Sequence, residues 1–298
     1  MDYHPYNERT PDTQYYDLLR RILESGRRVH PIHGEDAYMV LGHQMRFDMR
    51  NGFPLLPIRD LSRSFPGALG ELVGFLHGAR TLEELKEYGC PKVFWERWVT
   101  KERCDLFGLP EHDLGDGSYG AAWASFPTPE GVPFNQVEHL LKQIEEKPYL
   151  RTHILSPWIP FLALQHSTLT RKVVVAPCHG WVHVVAFPET KELSLHHFQR
   201  SGDVPVGVML NLIEYAALGM LIARQIGYSF TEYVYTISDA HLYESQVPYV
   251  KELLEREPRP FPTVTLDPSI TRVLDARREH FTLTDYDPHP HMVIPTPV

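Results

Sequence analysis

Two short stretches of this 298-residue chain hold residue types that can do chemistry together. The first is Ala176-Pro177-Cys178-His179, where a cysteine ends an apolar run and a histidine follows it. A thiol is a useful nucleophile only when partly ionised, which needs a nearby cation or hydrogen-bond donors. On local sequence alone the commoner role of such an isolated cysteine is that of a small packing residue. The second stretch is Gln199-Arg200-Ser201 with Asp203, a polar knot where an apolar strand gives way to a long apolar helix. Polar groups buried there must find partners. Arg200 is the cation that would activate a thiolate or hold an anion; the alternative is an internal pair with Asp203.

The elements that must position these residues come from an ordinary globular composition: 43% hydrophobic and 22% charged residues, enough to bury a sizeable core. The net charge of −9 argues against a sequence-independent grip on DNA or RNA and leaves room for a local basic pocket. Cys90, Cys104 and Cys178 show no CxxC spacing. Neither a disulfide framework nor a metal site is expected, and a reducing, cytoplasmic setting is. The polar N-terminus has no apolar signal core. The longest apolar stretch, 204–227, contains Asn211, Glu214, Arg224 and Gln225, which a membrane span tolerates poorly, so it reads as a helix inside a domain.

Along the chain, residues 1–12 read as a loose polar arm. Helical spacing follows over TQYYDLLRRILESG, with Gly26 as a stop, and AYMVLGHQMRFDM reads as a strand pair broken at Gly42. ALGELVGFLHGA, TLEELKEYG and VEHLLKQIEE read as helices, with an irregular region over 95–135 lying above a site. THILSPW, KVVVAPC, WVHVVAF and LSLHHFQRS read as strands, followed by the long helix, TEYVYTISDAHLY, a helix over SQVPYVKELLER, and TVTLDP. The simplest organisation is a single α+β domain over 1–298, with a large twisted mixed sheet flanked by helices.

Ten segments in order resemble the thymidylate synthases and the related pyrimidine-nucleotide hydroxymethylases. They are GHQMRF (42–47), NGFPL (51–55), GEL-x-x-FLHG (70–78), W-x-x-W (95–98), DLG-x-x-YG (113–120), APCH (176–179), QRS-x-D-x-x-x-G-x-x-x-N (199–211), D-x-H-x-Y (239–243), REPRP (256–260) and YDPHP (286–290). The resemblance implies that Cys178 adds to C6 of a pyrimidine and that C5 takes a one-carbon unit from 5,10-methylenetetrahydrofolate. It implies catalytic roles for Glu71, as a proton relay, and for Tyr119, Arg200 and Asp203. Arg151, Gln199, Arg200, Ser201, Asn211, Glu214, His241 and Tyr243 would bind the substrate. Trp95, Trp98, Asp203 and Gly207 would hold the folate. The implied assembly is a homodimer, with sheets back to back and Arg151 entering the neighbouring site.

The departures from the family pattern matter as much. Ile32 stands where a phosphate-gripping arginine is usual, followed by Glu35 and Asp36; Arg151-Thr152 replaces an arginine pair; Glu214 replaces a serine; Met209 replaces a proline; and the tail MVIPTPV is unusual. Together they point to a specialised homologue acting on a nucleotide or nucleoside, with a lean to hydroxymethyl transfer. An ordinary thymidylate synthase and a non-catalytic nucleotide- or folate-binding relative are the alternatives. Asn211 offers a donor and an acceptor that suit uracil. Glu214, three residues on and on the same helix face, would suit a cytosine amino group or orient a water.

Overall fold

The computed structural model describes residues 2–31 and 34–297. In chain order its elements are α1 (Gln14–Ser25), β1 (Arg27–Val29), β2 (Ala37–Asp48), α2 (Phe65–Leu76), α3 (Leu82–Glu87), α4 (Lys101–Asp105), α5 (Tyr119–Ala124), α6 (Gln136–Glu146), β3 (Ile154–Leu155), α7 (Pro160–Ala163), β4 (Trp181–Phe187) and β5 (Glu192–Asp203). A π-turn over Val204–Val208 leads into α8 (Met209–Ile226), followed by β6 (Ser229–Tyr243), α9 (Val247–Leu254), β7 (Thr263–Leu266) and β8 (Phe281–Thr284).

The six-stranded sheet has the order β1-β2-β6-β5-β4-β3. Every pairing is antiparallel except β5 with β6. Parallel neighbours need a crossover, and α8 supplies it. That explains why α8 is apolar all round: β5 and β6 cover one side and α2 another. Val204–Ile226 is long and apolar enough to cross a membrane, yet 83% of its most apolar window is buried inside the domain. It ends at Gly227, whose φ of 70° closes the helix in the left-handed conformation that glycine tolerates. The fold is the mixed α+β domain read from the sequence.

Several segments differ from the sequence reading, and the region 95–135, read as irregular, holds the short helices α4 and α5. β2 runs unbroken past Gly42, which takes a φ of +69° without losing register against β6. KVVVAPC is not a strand. Three of its carbonyls go to side chains: Arg171 donates to Val174 O, and Arg200 donates to both Ala176 O and Pro177 O. THILSPW keeps only Ile154–Leu155 as strand, with Pro157 just beyond, where a ladder donor is missing. The N-terminal arm is tied down as well: Arg9 is buried and donates to Phe261 O and Thr263 Oγ1.

Within one chain the strand WVHVVAF alternates. Val182, Val184 and Ala186 are buried, whereas Trp181, His183, Val185 and Phe187 lie half-buried or exposed on the outer face, beside Phe198 of β5.

Candidate active site

Cys178 sits where the irregular segment meets the end of β5. Arg200, on β5, reaches back and brings Nη2 to 3.3 Å from Cys178 Sγ. The two bonds from Arg200 to Ala176 O and Pro177 O, each 2.7 Å, fix the guanidinium beside the sulfur. Trp158 lies 6.0 Å from it, on the ring-face side. Tyr119, at the start of α5, accepts the Cys178 N–H at 2.7 Å. Burial raises the thiol pKa, while Arg200 and the Tyr119 hydroxyl work against that rise. Burial also holds Tyr119 protonated. His179 is no source of charge: burial and Arg200 push its pKa down to about 3, and its Nδ1 is 2.6 Å from the Tyr215 hydroxyl. Arg200 is therefore the cation at the sulfur.

Opposite this lies a pair of buried carboxyls. Glu71 (7% exposed) comes from α2 and Glu214 (1% exposed) from α8. Glu71 accepts the indole N–H of Trp95. Glu214 Oε2 accepts Asn211 Nδ2 at 2.9 Å, and Glu214 Oε1 is sealed from solvent with no partner of its own. Burial raises both pKa values, and the charge of Glu71 raises that of Glu214 further. Two carboxylates this close do not both ionise, so the pair holds a proton, mainly on Glu214. Asn211 is fixed from its other side: Gln199 Nε2 donates to Asn211 Oδ1 at 3.0 Å, and Tyr235 donates to Gln199 Oε1. This directed series sets which way the Asn211 amide faces. It leaves one amide hydrogen and one lone pair for a ligand.

The third part is where β5 ends. Asp203 Oδ2 accepts Gln246 Nε2 at 2.9 Å; Oδ1 is buried without a donor. Burial, partly offset by Gln246, pushes the Asp203 carboxyl up to about 6. Gln246 also donates to Pro295 O, and Arg97 donates to Thr296 O, so the C-terminal tail is held down at two points. Ser201 donates to Asp239, which also meets His241 Nδ1 at 3.1 Å. The Tyr243 ring lies edge-on to His241.

Residues 13–298 match the residue pattern that defines the thymidylate synthase family. The chain belongs to that family. Its members transfer a one-carbon unit to C5 of a pyrimidine and take it from methylenetetrahydrofolate.

The expected site residues fall into three groups. Cys178, Arg200, Tyr119 and Trp95 form one connected cluster with Glu71, Glu214, Asn211 and Gln199. Ser201, Asp203, His241 and Tyr243 line the adjoining strand ends, and Asp203 bonds to Gln246, with no contact to the thiol. Trp98 stands apart, half-buried under the Arg103 guanidinium. Arg151 does not reach the site of its own chain: its side chain is exposed, and its carbonyl meets His183 Nε2. Ile32 and His33 lie outside the described residues. Next to Thr152, which stands where the family has a second arginine, His153 is fully buried against Gln143 and Pro148 and does not take that arginine's place.

The residues suit a bound folate at two points. Asp203 Oδ1 is a buried acceptor lacking a donor, as the amino-rich edge of a pterin would supply. At Gly207 an added Cβ would meet nothing within 4 Å, leaving open space beside the π-turn. Gln246, Trp158 and Arg171 were missed by sequence reading. Arg171 lies only seven residues before Cys178, but a single arginine in an apolar run carries no local signature.

Proposed function

We propose that this chain carries one carbon from methylenetetrahydrofolate to C5 of a pyrimidine nucleotide or nucleoside and releases the 5-hydroxymethyl product. Cys178 gives up its proton and bonds to C6, with Arg200 beside the sulfur to favour the thiolate. The folate, when bound, supplies the carbon unit at C5. The hydrogen on C5 must then leave as a proton, and Glu71 is the base for it. Once tetrahydrofolate has left the carbon, taking a proton with it, an exocyclic methylene remains, and what quenches it decides the product.

The observation that carries the hydroxymethyl reading is Glu214. A water that adds to the methylene must shed a proton, whereas a hydride does not. Glu214 puts a second proton-carrying group beside Glu71 where the family usually has serine. Release of Cys178 then regenerates the C5–C6 double bond. A second reading, methyl transfer as in an ordinary thymidylate synthase, is favoured by the docked tail, because a closed site excludes water.

For the base, the remaining donor and acceptor of Asn211 suit O4 and N3–H of uracil, while an ionised Glu214 would suit a 4-amino group; kcat/KM for paired uracil and cytosine substrates decides. The three free thiols fit a reducing, cytoplasmic setting. The half-exposed apolar side chains Trp181, Val185, Phe187 and Phe198 fit a homodimer built on this sheet face, with Arg151 entering the other copy's site. Sedimentation showing an active monomer would end that part.

Incubation with methylenetetrahydrofolate and a panel of pyrimidine substrates tests the reaction. A mass gain of CH2O with tetrahydrofolate formed is the expected result. A gain of CH2 with dihydrofolate would replace it by methyl transfer. No product, and no capture of Cys178 by a 5-fluoropyrimidine nucleotide, would leave a binding protein.

A further inference from the structure

At the end of α8 away from the reacting carboxyls lies a cavity of about 230 Å³. Separate segments close it. The last turns of α8 give Met220, Ala223 and Arg224, Tyr228 and Phe230 flank the start of β6, Val264 and Leu266 come from β7, and Tyr3 comes from the N-terminal arm. Arg224 is ten residues beyond Glu214 on the same helix, about 15 Å along its axis. No residue of the proposed reaction lines the space.

The walls are held in place. The Phe230 ring is recessed into α8 at Gly219, where a Cβ would run into it. Tyr3 donates its hydroxyl to Val264 O at 2.9 Å. Arg9, itself bonded to Phe261 O and Thr263 Oγ1, lies 5.2 Å from the Tyr3 ring centroid. Lys191 Nζ lies 4.9 Å from the Tyr228 ring centroid. Each tyrosine ring is therefore steadied by a cation.

The chemistry of the lining is one-sided. Met220, Phe230, Val264 and Leu266 are buried and apolar, and the charge among the lining residues is Arg224, half-buried. Its guanidinium has no side-chain hydrogen bond and no carboxylate within ion-pair distance among the described residues. The carbonyls of Ala223 and Arg224 are taken by Tyr228 N–H and Gly227 N–H, so this helix end presents the guanidinium rather than bare acceptors. The acid that follows Leu266 in sequence, Asp267, is committed: its Oδ1 accepts the Ser269 N–H at 2.8 Å and hydroxyl at 2.7 Å. Its attraction to Arg224 acts at longer range.

Size narrows the ligand. The cavity exceeds the roughly 150 Å³ that admits benzene and falls short of the roughly 300 Å³ at which sites for drug-sized molecules begin. We propose that it binds a small carboxylic acid with one aromatic ring, the ring packed among Phe230, Tyr3 and Tyr228 and the carboxylate on Arg224. This does not depend on the C5 transfer.

The test is calorimetric titration of the full chain with phenylacetate and with phenylacetamide, its neutral counterpart. Phenylacetate should bind saturably and at least about tenfold more tightly than the amide, the scale of one charge-assisted contact. Arg224→Gln should bring the two together, and Ala223→Leu, which takes up part of the space, should weaken both. Saturating deoxyuridylate and tetrahydrofolate should leave phenylacetate binding unchanged. Displacement by either would place the acid at the Cys178 site and overturn the assignment. So would an absence of saturable binding at millimolar concentration, or an Arg224→Gln variant that keeps the wild-type preference. If a variant does not fold, the Met220 methyl resonance of the wild type decides: it should move under the ring current of added phenylacetate, and a resonance that stays still would remove the site.

Discussion

On the Cys178 side of the site, Arg171 and Arg200 are cations with no carboxylate within ion-pair distance among the described residues. On the other side, Glu71 and Glu214 are buried carboxyls without cations. Elsewhere on the molecule opposite charges pair in the ordinary way, as Arg80 does with Asp113 and Asp116. Keeping charge apart inside a fold costs stability. The two sides also differ in rigidity of purpose: the guanidiniums are pinned by backbone carbonyls, while the carboxyls are poised to exchange a proton. A ligand that is anionic at one end and trades protons at the other satisfies both. The largest effect should come from the atom between them. Cys178→Ala should fold normally and lose turnover by on the order of ten-thousand-fold or more, because no other nucleophile adjoins Arg200. Ordinary turnover in that variant, by product mass, would remove the covalent mechanism.

The carboxyl side is broken more gently. Glu214→Gln keeps an acceptor for Asn211 Nδ2 and removes the second titrating group. The hydroxymethyl product should fall by roughly tenfold or more, while thermal stability stays level or rises by about 1 kcal/mol as a buried proton-sharing pair disappears. The same variant sharpens the comparison through pH. Since burial and Glu71 raise the Glu214 pKa, the folded state holds a proton that the unfolded chain releases. Wild-type stability therefore declines as pH rises above the ordinary carboxylate range, and the variant should decline less. An unchanged product ratio together with an unchanged pH profile would reduce Glu214 to a packing residue.

The two sides were not equally legible in the sequence. Cys178, Arg200 and Asn211 stand in ordered motifs, and their strand-to-helix setting follows from apolar patterning over 192–227. Glu214 was visible as a departure, but its pairing with Glu71 depends on how α8 packs against α2, which no spacing within either helix encodes. Arg171 was invisible for a different reason. Its bond to Val174 O depends on KVVVAPC failing to form a strand, and the β-branched run of that segment, ended by a proline, reads as strand by every local rule. The side-chain bonds that hold it irregular come from Arg200, more than twenty residues away. Gly42 misled in the opposite direction: a glycine that suggested a break instead lets β2 pass through a positive φ.

The smallest expected effect tests whether the strand-end carboxyl belongs with the reacting pair or with the folate. Burial pushes Asp203 up to about 6, against an ordinary value of 3.8, and Gln246 only partly offsets it. The sign follows from proton counts. Between these two values the folded chain binds the extra proton, so stability falls as pH rises through that window, by on the order of 3 kcal/mol at most. Folate binding should run the other way, because only the ionised carboxylate accepts from a donor-rich edge at both oxygens. Tetrahydrofolate affinity should thus strengthen as pH climbs through about 6, where stability weakens. Asp203→Asn should flatten both curves and lower folate affinity by roughly tenfold at neutral pH. The two profiles are measurable on the same samples, by thermal melts and by fluorescence titration. If folate affinity stays flat across that window while the melt does not, Asp203 holds Gln246 and the tail in place and takes no part in the cofactor site.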